Sequence, residues 1–455
     1  NIVQKIDIIR AATIAKFNAQ NTGDLLINTG NVFVQKSQQG GSSPVIRGFE
    51  ASRVLIVVDG IRHNTAIFRA GHLQNAITID QNMLEQAEVM YGPSSTLYGS
   101  DALGGIMHLR TKSPKLSATN KLFVTGSAFS RLSSVNDEKT IHYDLSLGGR
   151  KIAWLSALTF SDFGDMKMGS NYPDKYPTFG RRDSVIAFFG FKDSVISNPD
   201  NQVQRYSGYK QWDVMQKLLF QQNEKISHSL NFQYSNTNDI PRYDRLQDVK
   251  NFGGSIGTTL RYAKWYYGPQ KRLLGAYELN VKNPGFFNEL KANINYQNLE
   301  ESRQQREYRR YDRFDSRREE VKVWGFVVDG RKKFGNNELT VGFDGQFNDV
   351  KSRADRTNLN TGAVTKLDSR YPDGKNRMNY VAVYGQHLLK IAGGKWVLND
   401  GIRFQSVSLR SNVVDNSFFN LPVTKFEQTN FSITGNLGLI YIPSEKTRIA
   451  LGLSS

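Results

Sequence analysis

Hydrophobic and polar residues alternate with period two along most of residues 121–455. Ile141, Tyr143, Leu145 and Leu147 share one face of a segment whose other face carries His142, Asp144 and Ser146. Ile226, His228, Leu230, Phe232 and Tyr234 stand in the same way against Ser227, Ser229, Asn231, Gln233 and Ser235. Leu339, Val341, Phe343 and Phe347 oppose Glu338, Thr340, Asp344, Gln346 and Asn348. This is the periodicity of β-strands with one apolar and one polar face. The runs reach ten residues or more, longer than the roughly 5–6 usual in soluble sheets.

The pattern predicts thirteen strands, near 121–130, 139–149, 151–162, 208–222, 225–238, 258–282, 286–306, 318–333, 337–353, 377–391, 395–410, 430–443 and 446–455. Links at 149–151, 222–225, 283–285, 334–337, 391–395 and 443–446 are short and hold Gly, Pro or Asn; the others are longer, the longest running from 163 to 207. Alternating short and long connections mark an antiparallel transmembrane barrel of a Gram-negative outer membrane, with periplasmic turns and extracellular loops. The Arg-rich stretch 303–318, seven Arg against three acids, is then expected to be an extracellular loop. Bacterial single-chain barrels close with an even number of strands, so an odd count ending in LGLSS predicts further strands after Ser455.

Residues 1–112 read differently, as a small mixed α/β domain. Short helical patterns cover 10–20 and 22–28, VLIVVDG at 54–60 is a buried strand ending in a turn, and Asp80 can cap a short helix over 81–86 that runs into a strand at 87–91. The polar, proline-bearing TKSPKLSATNK at 111–121 supplies the boundary, giving a first domain at 1–112, a linker at 113–120 and the barrel at 121–455.

Composition removes several alternatives. No apolar run approaches the roughly 18 residues of a membrane helix, although a barrel escapes that test because its strands alternate. The absence of cysteine rules out disulfides, thiolate metal sites and a thiol nucleophile. Residue 1 is not preceded by a basic-then-apolar leader, so any signal peptide lies outside the sequence. Residues 1–112 hold ten Lys/Arg and eight Asp/Glu, which leaves +15 of the formal +17 thinly spread over the barrel. That distribution and the lack of a recognition motif argue against nucleic acid and toward anionic lipopolysaccharide or an anionic ligand. No nucleophile elbow, phosphate loop or helical metal-spaced histidine pair is present, so an enzyme is not expected.

The motifs VIRGF (45–49), VLIVVDGIR (54–62), LEQAEVMYGPSSTLYGSDALGG (84–105) and HLRTK (108–112) resemble, in order and spacing, the plug of TonB-dependent outer-membrane receptors. Physically, Gly48, Gly92, Gly99, Gly104 and Gly105 permit turns or close backbone packing, and Asp59–Gly60 makes a hairpin-type turn. Arg47, between an apolar strand and a glycine, is expected to be buried and to need carboxylate partners. Glu85 and Glu88 are grouped with these residues as structural or gating positions. The resemblance implies that plug arginines pair with barrel glutamates; here Tyr91 stands where many members carry a second arginine, which puts the full cluster in doubt. It further implies a plug filling a barrel of about 22 strands, and import of a scarce nutrient. A TonB-type energy-coupling protein would pull a segment preceding residue 1. Other implied partners are the lipid bilayer and lipopolysaccharide, an iron chelate or haemoprotein, and a surface lipoprotein.

The stretch DGIRHNTAIFRAGHLQN at 59–75 looks most like haem and haemoglobin receptors, in which a histidine in a GHL context can ligate haem iron. That maps onto His72, with His63 and Arg69 as weaker neighbours; a surface histidine in a polar loop is the bland alternative. Haem would be transported ligand, and no resident cofactor or metal is expected. Met166, Met168, Tyr172 and Tyr176 in the long loop can stack on a macrocycle or catecholate, or form the loop's own small core. His108 reads as structural, and His228 suits an aromatic girdle. A ferric-siderophore transporter, or a ligand-sensing receptor that signals without importing, is the alternative function.

Overall fold

The computed structural model describes residues 6–36, 38–68, 76–91, 99–190, 192–444 and 447–454. His72, Arg69 and Gly92 lie outside them. Thirteen long strands form one antiparallel sheet from Phe123–Ser133 at one edge to Thr447–Ser454 at the other. The register carries the alternation across the sheet. In Asn337–Thr357, Phe343 faces outward while Asp344, Gln346 and Asn348 face the inner volume and bond to other inner residues or to the N-terminal domain. Ile141 is 63% exposed and its neighbour His142 1%. Among the described residues no helix is long and apolar enough to cross a membrane.

Two sequence expectations for the wall change. The single strand expected over 258–282 divides into Thr258–Leu260, Tyr262–Tyr267 and Lys271–Lys282. Gly268 and Pro269 separate the last two; proline lacks the N–H a continuous ladder requires. Tyr262–Tyr267 pairs with Ile240–Pro241 and with the top of Glu289–Glu307, and only Lys271–Lys282 joins the wall in sequence order. The basic stretch 303–318 is mostly not loop. Strands Glu289–Glu307 and Phe314–Phe334 continue above the sheet and leave only 308–313 as the connection. The ladder between them runs up to Gln305↔Asp315, so the arginines there alternate sides of a raised ribbon.

The N-terminal region holds a five-stranded sheet, Ile6–Arg10, Leu84–Tyr91, Gly105–Thr111, Val54–Val58 and Ile61–Arg62 in spatial order. Helices Ala11–Phe17 and Thr22–Ile27 cover one face, burying Ile14, Leu25 and Leu26 against Val54, Ile56, Val58, Met107 and Leu109. Asn21 caps the second helix by accepting from the Asp24 amide. Asp80 caps only a three-residue 3-10 turn, Gln81–Met83, in place of the helix expected over 81–86, because the chain already pairs as strand Leu84–Tyr91. Asp59 and Gly60 both adopt positive φ, 51° and 82°, the two-residue hairpin turn that joins Val54–Val58 to Ile61–Arg62.

Phe343 packs its ring 4.9 Å from Phe326 on the outer face and is 45% exposed there. Phe343→Arg is expected to lower wall stability by about 2–4 kcal/mol, the cost of a cation near mid-membrane. Urea unfolding of the protein in lipid vesicles measures this, and an unchanged midpoint would contradict the outward assignment.

Candidate functional site

The functional geometry is the contact between the N-terminal domain and the inner face of the wall. Wall side chains repeatedly address backbone carbonyls of that domain. Arg131 Nη1 donates to Ala19 O (2.9 Å), Gln211 Nε2 to Ile77 O (2.7 Å), Gln297 Nε2 to Arg62 O (3.0 Å), Gln346 Nε2 to Asn64 O (3.1 Å) and Tyr371 Oη to Ile67 O (3.0 Å). Asn348 Oδ1 accepts from the Ala66 amide at 3.2 Å. The polar alternation of the strands thus supplies partners to backbone groups after the first helix, in the Ala76–Thr78 turn and along residues 62–67, which the N-terminal domain's own ladders leave unpaired.

Charged contacts are fewer and more concentrated. Asp59 accepts from the Thr111 amide (2.8 Å) and hydroxyl (2.6 Å) within its own domain, and from Asn231 (2.9 Å) and Gln233 (3.1 Å) of the wall. Lys217 Nζ stands 3.0 Å from it, and the two side chains are 9% and 15% exposed. Burial alone would raise the Asp59 carboxyl; the Lys217 charge and the Thr111 bonds outweigh it and hold the group below the usual carboxylate range. Asp80 accepts from the Thr159 hydroxyl, which also bonds His142 Nδ1 at 2.7 Å. Higher up, Arg403 is 1% exposed, forks onto both oxygens of Asp344 (2.7 and 3.1 Å) and bonds Gln405. Gly99 packs against this pair with φ +82°; a Cβ there would lie 2.7 Å from Gln405 Oε1.

The apex segment 62–68 sits on an apolar patch. Ile67 and Phe68 are buried among Leu299, Val321, Val323 and Val350, with Tyr371 closing over them from the loop above. His63 is 1% exposed, its ring 5.7 Å from Phe68, and neither ring nitrogen has a hydrogen-bond partner among the described residues. Burial, with the Arg272 charge nearby, holds this imidazole well below its ordinary value, so it is neutral. A ligand reaches His63 only if the apex moves.

The remaining residues singled out from sequence fall in several places. Arg47 corrects an expectation: it is exposed, at φ 51°, with its guanidinium 5.7 Å over the Tyr91 ring and no carboxylate partner among the described residues. The turn carries it out of the sheet, so the buried cation expected there does not form. Tyr91, in place of a second arginine, donates to Asp7 at 2.8 Å. Glu88 pairs with Arg110 (3.1 Å) and approaches His108 (3.7 Å), while Glu85 is exposed. Burial lowers His108 to about 4, consistent with a structural residue. Gly48 lies in the exposed turn beside Arg47, and Gly104 packs on Phe49. At Gly105 φ is +152° and a Cβ would stand 2.5 Å from Met90 O, so only glycine fits without backbone shift.

In the long loop, Met166 belongs to the short strand Met166–Lys167, and Met168 packs near Gly180. Tyr172 accepts a hydrogen bond from Arg181, and Lys175 lies 5.5 Å from the exposed Tyr176 ring. Among the described residues the loop's buried apolar side chains are Val185, Ile186 and Ala187, whereas Phe179, Phe188 and Phe189 are exposed. Its small core is aliphatic and its aromatics face solvent. None of these four loop residues shares a contact with His63. His228 bonds Tyr277 Oη at 2.8 Å beside Phe220, an aromatic group close to the 222–225 turn. Among the described residues no cluster of His, Asp or Glu has the makings of a metal site.

Comparison with known proteins matches residues 1–106 to the TonB-dependent Receptor Plug Domain and residues 218–454 to the family described as TonB dependent receptor-like, beta-barrel. The vitamin B12 transporter BtuB of Vibrio vulnificus is 33% identical over 115 residues, 24% of this chain and 18% of that protein. The hemin receptor of Yersinia enterocolitica is 35% identical over 107 residues, 23% and 15% of the two chains. Among solved structures, the copper transporter OprC superposes with a TM-score of 0.76 at 14% identity, covering 99% of this chain and 63% of that one. The Serratia marcescens hemophore receptor HasR superposes at 0.69 and 14% identity, covering 97% and 61%. The chain therefore spans less than two thirds of the structural relatives, and its match to the curated ones covers under a fifth of their length.

Proposed function

The chain belongs to the TonB-dependent receptor family of outer-membrane β-barrels, and from that premise we propose that it imports an iron chelate, haem first among them, by energy-driven rearrangement of its plug. We read residues 1–112 as the plug, 113–120 as the linker and 121–455 as the wall. The carrying observation is the seam itself. A folded domain lies against the inner face of the wall and is held there by side-chain bonds to its backbone, a few ion pairs and small shared apolar contacts at Ile77, at Ile67 with Phe68 and at Met83. Such bonds exchange for water bonds at small net cost, each contributing about 0.5–1.5 kcal/mol, so the larger hold lies in the Asp59–Lys217 pair and the apolar contacts, and a pull that releases these shifts the plug without unfolding the wall. A TonB-type protein supplies that pull, and lipid and lipopolysaccharide surround the wall.

Haem is favoured over a ferric siderophore by the GHL context of His72 and by the plug's similarity to the hemin receptor. Imidazole ligates haem iron, and a surface lipoprotein or haemoprotein is the accessory partner this reading brings with it. Haem titration of the complete protein is expected to give a Soret band that weakens in His72→Ala. No band in the wild type, or the same spectrum in the variant, removes the haem assignment.

A further inference from the structure

The outer face of the wall is ordered in rows set by the strand register. One row runs Gly275, Tyr296, Trp324, Phe347, and Trp324 is 55% exposed. Two residues nearer the long loops the row reads Lys322, Asp349, Arg377; four residues nearer it reads Glu300, Glu320, Lys351; six residues nearer, Arg318 stands beside Arg353. At about 3.3 Å per residue the last two rows lie roughly 13 and 20 Å beyond the aromatic one. Aromatic rows mark the boundary between lipid and water, and the long loops are extracellular. The charged rows therefore stand at the level of the outer leaflet's head groups.

These charges are unevenly paired. Asp349 lies 3.3 Å from Arg377, and Glu320 lies 3.3 Å from Lys322. Glu300 sits between Lys271 at 3.8 Å and Arg318 at 3.6 Å, beyond hydrogen-bond reach of either. Among the described residues Lys351 and Arg353 are exposed on this face and have no ion pair; Asp355, the next outward residue of their strand, stands opposite Lys366. Arg318 and Arg353 face each other directly across the ladder. Like charges so placed are destabilising. A carboxylate at either position would have closed a cross-strand pair, as Asp349 does with Arg377. An anion accepting from both guanidinium groups and from the Lys351 ammonium removes the repulsion, and a phosphate has the oxygens and the charge to do so.

Trp324 also lines one end of an apolar groove on the same outer face. Gly275 is its floor, without a side chain between Phe232 and Tyr296, while Leu230, Tyr277 and Ile294 form the edge nearer the short turns. The groove floor and the Arg318 strand are two strand spacings apart, roughly 10 Å. One amphiphile with several chains covers that distance; a free anion would use the cations and ignore the groove.

We propose that this face binds a phosphorylated glycolipid of the outer leaflet, lipopolysaccharide, with a phosphate between Arg318, Lys351 and Arg353 and an acyl chain over Gly275. The site rests on the outer-membrane assignment and is independent of the cargo. Purified lipopolysaccharide is the probe, added to the complete protein in detergent after bound lipid has been removed. Arg318→Gln with Lys351→Gln and Arg353→Gln is expected to weaken binding about a hundredfold. Lys282→Gln with Lys332→Gln and Lys333→Gln removes the same charge near the short turns and is expected to change nothing. Gly275→Leu, whose side chain has open space to enter, should weaken binding by filling the groove. Wild type should hold dephosphorylated lipid as weakly as the triple variant holds the intact one, and millimolar inorganic phosphate should not displace the lipid.

Stability supplies a readout with a sign. Without lipid, Arg353→Gln should raise the urea midpoint by removing a like-charged neighbour; with saturating lipid it should lower it. Equal loss in the short-turn variant, equal affinity for the dephosphorylated lipid, displacement by inorganic phosphate, or a lipid-free midpoint that falls in Arg353→Gln each overturns the site. A wild type that ignores haem strikes only the ligand assignment above.

Discussion

Removing the Asp59 carboxylate by Asp59→Ala is expected to loosen the plug from the wall by about 3–5 kcal/mol, the usual cost of leaving one member of a buried ion pair without its partner. The residue joins both sides of the seam. It ends the strand Val54–Val58, ties that strand to Thr111 and receives Lys217, Asn231 and Gln233 from the wall. Without it the Lys217 ammonium, 9% exposed, keeps a 3.5 Å contact to Thr111 O and the more distant Glu278 carboxylate. Amide hydrogen exchange of Val54–Val58 and Gly105–Thr111 in the complete protein measures the effect; unchanged protection would refute it. The pH dependence follows from the depressed carboxyl. A group whose folded pKa lies below its unfolded value stabilises fully above the unfolded value, near about 3.9, and loses that contribution as pH falls through the folded one. The Asp59 hold is therefore constant from neutral pH to about 4 and fails only in stronger acid.

The second large effect is expected at Arg403. Arg403→Ala leaves Asp344 facing the interior without its bidentate partner and should cost about 3–5 kcal/mol. Arg403→Lys should recover part of that, since an ammonium cannot reproduce the guanidinium fork. Removing both members, in Arg403→Ala with Asp344→Ala, should cost less than the single Arg403 change, because no buried charge is then orphaned. Urea midpoints of the wild type, the three variants and Asp344→Ala test this, and simple additivity of Arg403→Ala and Asp344→Ala would sink the pairing argument. Gly99 makes the site a second junction between plug and wall: the turn it allows rests directly on Gln405 and Arg403.

Much of the wall was legible from alternation alone, because a strand between lipid and a polar interior must change character at every residue. The faces read at 141–147, 226–235 and 338–348 are the faces observed. Alternation does not report which inner residue meets the plug: Gln297, Gln346 and Asn348 look like any other lumen-facing amide, and their selection depends on a partner 235 to 282 positions away in the chain. Strand ends above the membrane were misplaced at 303–318 because raised ribbons are polar on both sides and lose the period-two signal. Arg47 was misjudged for a local reason: its neighbours are apolar, yet its positive φ turns it outward onto Tyr91. His63, from sequence a weaker ligand candidate beside His72, is enclosed because Ile67 and Phe68 hold the segment on the wall.

The wall's repeated use of plug carbonyls, beside its side-chain contacts at Asp59 and Asp80, has a consequence for how such a molecule can change over time. A carbonyl is the same at every residue, so Gln211, Gln297, Gln346 and Tyr371 recognise the path of the plug's main chain and are blind to the letters written along it. Ile77 and Ile67 are fixed by their own packing on wall side chains and Asn64 by its bonds to the Ile56 amide and the Val54 carbonyl, so drift toward a new cargo falls to plug residues whose side chains are exposed, while the fit between the two parts persists. What the arrangement does not tolerate is a change of path, which is why the glycine-bearing corners at 99 and 105 are the rigid points of an otherwise permissive seam.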